Sequence, residues 1–115
     1  MANTFKSETA VNIGTSETTV YTCPADTKTT VIGLSLANVS ATDPVYGTVY
    51  LDATGRISGA EDKATLIKSA PLFVGGTLAL FGGDQKLVLE PGDAVKVVSD
   101  TISSIDIVLS HLELT

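Results

Sequence analysis

Few residues in this chain are of a type that does chemistry. Its 115 residues contain one histidine, His111, and one cysteine, Cys23. Nucleophilic catalysis needs a nucleophile, a base within hydrogen-bond reach and a group to orient that base. His111, Asp106 and one of the many serines are the set from which such a triad can be drawn, but a lone histidine on the polar parity of a terminal strand reads first as a surface or interface residue. One His and one Cys do not make a zinc site. Calcium needs only carboxylates and carbonyls, and Glu61, Asp62, Asp84 and Asp93 all lie near turns, yet no D-x-D-x-D-G loop is present. Gly82-Gly83-Asp84 has neither a following helix nor the lysine of a P-loop, so it reads as a turn. The expectation is therefore no catalytic residue, no cofactor and no metal.

Recognition is the other chemistry to weigh. Tyr46 and Tyr50 share one parity of a strand and form a small aromatic stripe. It serves either as lateral cover for the strand or as a contact patch for a partner or a sugar. The chain has no Trp to strengthen the sugar reading.

The elements that must position these residues are strands. Two-residue alternation recurs from end to end and no window sustains a helical apolar period. Strands are expected over Asn3–Ile13, Thr18–Cys23, Thr29–Asn38, Val45–Leu51, Thr65–Ala70, Thr77–Phe81, Gln85–Leu89, Ala94–Ser99 and Ser104–Leu114, with a kink at Pro71. Glu90-Pro91-Gly92-Asp93 fits a type II turn, Pro at the second position and Gly at the third. In the first strand Phe5, Val11 and Ile13 share a parity; in the third, Ile32, Leu34 and Leu36 do. The last strand breaks its alternation: Ile105, Ile107 and Leu109 share one parity, while Leu112 and Leu114 share the other with Val108. Either a bulge near Ser110 shifts the register, or the strand end is apolar on both faces, a liability on an edge that an oligomer would cover. Eight or nine strands with turns about every ten residues predict a single all-β domain over residues 1–115, an antiparallel β-sandwich of jelly-roll type, with a barrel as the alternative. A polar stretch at about 52–63 reads as its variable loop.

Bulk composition narrows the partners. Aromatic residues are 5% of the chain, so the core must be aliphatic, with Phe5, Phe73 and Phe81 its largest candidates. Charged residues are 17%, below the usual share of about 25%, and a surface low in charge suits close contact with protein. A net charge of −6 with seven scattered basic residues argues against nucleic acid, which needs clustered Lys and Arg. No apolar run approaches the length of a membrane span, and MANTFKSETA lacks the apolar centre of a signal peptide; no membrane partner and synthesis in the cytoplasm are expected.

Three segments carry a resemblance. The opening MANTFKSETAVNIGTSETTVYTCPADTKTTVIGLSLANVS, the stretch APLFVGGTLALFGGDQKLVLEPGDAVKVVSD and the ending S-I-D-I-V-L-S-H-L-E resemble small virion structural proteins of tailed bacteriophages, of the marine and cyanobacterial phage type. The likeness spans nearly the whole chain except Asp43 to Lys63. It implies a non-enzymatic particle component present in many copies, and it carries over no catalytic residue. On this reading the acidity favours the outer surface of the virion, as a capsid decoration or cement protein docked on the major capsid protein, ahead of a neck or tail component. A homo-oligomer is expected, a trimer above other states. The candidate interface residues are Phe5, Tyr46, Tyr50, Arg56, His111, Leu112 and Leu114. The alternative is a carbohydrate-binding module for host attachment, with Tyr46 and Tyr50 as its platform.

Overall fold

A computed structural model describes residues 3–53, 63–81 and 86–115. Nine strands follow in order: β1 (Asn3–Ile13), β2 (Thr18–Thr22), β3 (Lys28–Asn38), β4 (Val45–Asp52), β5 (Lys63–Leu72), β6 (Thr77–Phe81), β7 (Leu87–Leu89), β8 (Ala94–Ser99) and β9 (Ile105–Leu114). All pairings are antiparallel. One sheet runs β1-β9-β3-β6, with β7 also paired to β3, and the other runs β2-β8-β4-β5. With β7 set aside, the other eight strands have the two-sheet order of a jelly roll. The sheets face each other and stay open at their edges, so the fold is the sandwich and not the barrel.

The core between the sheets is aliphatic, as composition requires, and centres on residues such as Leu34, Leu36, Val49, Val95, Ile107 and Leu109. The phenylalanines do not supply it. Phe5 and Phe73 are each 73% exposed, and the Phe81 side chain lies outside the described residues. In β1 the reason is a register shift between Ala10 and Ile13, with Asn12 at φ 54. The bulge turns Ile13 inward while Phe5 and Val11 stay outside. A bulge also rephases β3 between Val31 and Gly33, so Val31 joins Leu34 and Leu36 in the core and Ile32 is only half-buried.

Two punctuation marks behave differently. Glu90-Pro91-Gly92-Asp93 closes as a turn, with Gly92 at φ 90 and the Asp93 amide donating to the Glu90 carbonyl at 2.9 Å. Pro71 does not kink the chain out of its strand, because β5 is the edge of its sheet and an edge strand tolerates the missing N–H.

The break in β9 resolves in the opposite sense to a slip of that strand. Its odd residues Ile105, Ile107, Leu109, His111 and Glu113 are all buried, and its register with β1 runs unbroken from Ala10 to Asn3. The bulge opposite Ser110 belongs to β3. Nor is β9 an edge, since it lies between β1 and β3.

Candidate functional site

Because β9 keeps its alternation, its last two inward positions are polar. They meet Tyr21, which β2 of the facing sheet turns inward. The Tyr21 hydroxyl donates to Glu113 Oε2 at 2.6 Å and lies 2.8 Å from Thr29 Oγ1. Thr29 Oγ1 is 3.4 Å from the Cys23 thiol, which donates to the Thr27 carbonyl at 3.2 Å. Lys6 Nζ reaches Glu113 Oε1 at 3.1 Å. The His111 ring lies against the Tyr21 ring, centroids 4.1 Å apart, and its Nε2 is 3.1 Å from Glu8 Oε2. A carboxylate only accepts, so with neutral His111 the proton sits on Nε2, and Nδ1 is left as a buried nitrogen without a hydrogen-bond partner among the described residues.

The network ties one sheet to the other, Tyr21 on one side and Thr29, His111 and Glu113 on the other. Burial, and then the hydrogen bond to Glu113, push the Tyr21 phenol far above its ordinary range. The Tyr21 hydroxyl, and then Lys6, hold the Glu113 carboxyl below its ordinary range. The two shifts reinforce each other: the donor keeps its proton and the acceptor keeps its charge. A pair so separated in proton affinity holds a bond well and passes a proton poorly.

His111 is therefore not a surface or interface residue; it is 0% exposed. Asp106 projects from the other face of β9, where its Oδ1 accepts from the Asn12 amide at 2.9 Å, so the two do not form a dyad. Of the carboxylates near turns, Asp93 is buried with Oδ2 accepting from the Glu90 amide at 3.0 Å; Glu61, Asp62 and Asp84 lie outside the described residues.

The two outer faces differ in the charge at their centres. On the β2-β8-β4-β5 sheet, Lys63 pairs with Glu17 at 2.8 Å and Lys96 pairs with Asp52 at 2.8 Å. On the other sheet, cross-strand register sets Phe5 beside Leu112, Leu112 beside Thr30 and Thr30 beside Val88. This makes one outward row across four strands. A second row runs Thr9, Val108, Ser35 and Ala79. Phe5, Val88, Val108 and Leu114 are exposed and Leu112 is half-buried. Leu114 also walls an open cleft of about 430 Å³, shared with Asp26, Lys28 and Pro91.

The fold thus brings Phe5, Leu112 and Leu114 together and sends Tyr46 and Tyr50 to the opposite sheet. The two tyrosines share an outward parity but stand about 13 Å apart along the strand. Thr48 sits between them, its hydroxyl accepting from the Ser69 amide at 2.9 Å. Lys63 Nζ lies 5.3 Å from the centre of the Tyr50 ring, so the pair does not form one open stacking platform. Arg56 lies outside the described residues. Val88 and the Tyr21–Thr29–Glu113 network were missed from sequence; the available signal was that Glu113 shares the parity of Ile105, Ile107 and Leu109.

No family model and no curated protein matches the chain. Among solved structures, a chain from work described as "Bacillus endospore appendages form a novel family of disulfide-linked pili" is similar, with a TM-score of 0.49 and 12% identity over 100% of this chain and 91% of that one. At that identity and score, the likeness bears on neither family nor function.

Proposed function

We propose that the chain is a non-enzymatic structural subunit of a multi-copy particle, which oligomerises through the outer face of its β1-β9-β3 sheet. One observation supports this reading: the middle of that face, between Lys28 and Asp106 at its ends, collects exposed apolar side chains and no charge, while the outer face of the other sheet carries the Lys63–Glu17 and Lys96–Asp52 pairs. Burying charge costs far more than burying aliphatic groups or hydroxyls that find a hydrogen bond, so this is the face that protein can cover at least cost. The particle is the tailed-phage virion that the sequence resembles. Within it the chain decorates the capsid on its outer surface, docked on the major capsid protein, and a neck or tail position comes second.

Counting the chain in purified particles by quantitative mass spectrometry tests this. Copies on the order of hundreds support shell decoration, and about six or twelve support the neck or tail. Particles that lack the chain refute the reading.

A further inference from the structure

This face, uncharged at its centre, is patterned along its strands as well as across them. Lys28 stands at one end, paired with Leu114, and Asp106 at the other, paired with Ala37. Between these ends come the Phe5–Leu112–Thr30 row, a row of Ser7, Ser110 and Gly33, and the Thr9–Val108–Ser35 row. The order is cation, apolar row, small row, apolar row, anion. Such a sequence is complementary to its own reverse.

We propose that this face binds a second copy of the same chain about a two-fold axis crossing the strands over the Ser7–Ser110–Gly33 row, an inference that rests on the assembly role above. The axis reverses the partner's strands, so the Phe5–Leu112 row of one copy meets the Val108 row of the other. Lys28 of one copy then falls one strand spacing from Asp106 of the other, within reach of a lysine side chain, and the contact is made twice. The small central row leaves room for Phe5 and Leu112 to interdigitate.

Area and charge both favour this occupant. β1, β9 and β3 run ten or eleven residues each, and the shorter β6 and β7 lie along the far side of β3; together they cover about 600 Å², so two copies hide roughly 1,200 Å² in flat projection. A specific interface needs about 1,000 Å². Each copy carries a net charge of −6, and like-charged copies repel; pairing through this face adds two attractive contacts and leaves Glu17, Asp52, Lys63 and Lys96 in water. A self-complementary face closes at two copies, which sets a dimer in place of the trimer expected from sequence.

Sedimentation velocity and native mass spectrometry of the full chain over a concentration series test the pairing. The wild type is expected to be a reversible dimer. Ser110→Arg, in the central row, weakens it at least tenfold without lowering the melting temperature. Lys28→Asp and Asp106→Lys each weaken it too, and mixing those two variants restores a heterodimer in which both contacts again join opposite charges. If loss of the Asn12 contact unfolds Asp106→Lys, Ser110→Arg and Lys28→Asp still decide the matter. A wild-type monomer, a trimer, or a dimer indifferent to Ser110→Arg overturns the pairing. A chain that stays monomeric yet binds particles sinks the pairing alone, whereas a dimer absent from every particle sinks the assembly role alone.

Discussion

Replacing Tyr21 with Phe removes one oxygen atom from between the sheets and leaves the ring that packs on His111. Two hydrogen bonds go with it, at 2.6 Å to Glu113 and 2.8 Å to Thr29. The first is charge-assisted and contributes about 1.5–3 kcal/mol, the second about 0.5–1.5 kcal/mol. The Glu113 side chain is only 10% exposed, so water cannot simply take the vacated position, and the expected loss is about 2–4 kcal/mol. A 115-residue domain loses roughly 4 °C in Tm per kcal/mol, which puts the variant roughly 8–16 °C below wild type. Urea titration and scanning calorimetry read both quantities. Glu113→Gln weakens the same bond, so the double variant should fall short of additivity by at least about 0.5 kcal/mol. A Tyr21→Phe cost below about 0.5 kcal/mol, the ordinary range of a surface change, would show that the network does not join the sheets.

Four further outcomes follow, two from the same network and two from elsewhere in the molecule. Glu113 has a lowered carboxyl pKa in the fold, so its contribution is present above the unfolded value near about 4.3 and is lost as pH falls through the folded one. Acid titration of stability should steepen below about pH 4.3, and Glu113→Gln should flatten that limb. Tyr21 is shifted upward, so its contribution is full below about pH 10 and fades above it, and Tyr21→Phe should flatten the alkaline limb. At Gly47 an added Cβ would lie 3.1 Å from Ile105 Cδ1 and 3.3 Å from Leu36 Cδ2; Gly47→Ala should cost about 1–3 kcal/mol in urea unfolding through overpacking. Phe5→Ser should leave monomer stability within about 0.5 kcal/mol of wild type while weakening self-association in sedimentation.

Strand positions were legible because turns and two-residue alternation are local signals. The bounds of β1, β6 and β8 are those expected, and the other strands differ by a few residues at most. What sequence hid was phase. Bulges near Asn12 and between Val31 and Gly33 move Phe5 and Ile32 out of the core and Val31 into it, and a bulge leaves no composition mark that separates it from plain alternation. His111 was misplaced for a related reason. A polar residue among apolar ones reads as outward, yet here Tyr21 and Glu8 from distant strands make an inward histidine acceptable. The docking face was half legible. Phe5, Leu112 and Leu114 stood out singly, but only the β1-β9-β3 pairing shows that they share one uncharged field with Val88 and Val108.

Hydroxyl-radical footprinting of Phe5 and Tyr46, in dilute chain and in the assembled state, tests that field most directly. Both side chains are exposed, Phe5 on the uncharged face and Tyr46 on the opposite sheet. If the uncharged face is the assembly surface, Phe5 becomes protected as copies associate while Tyr46 keeps its reactivity. Protection of Tyr46 with Phe5 still reactive would contradict it.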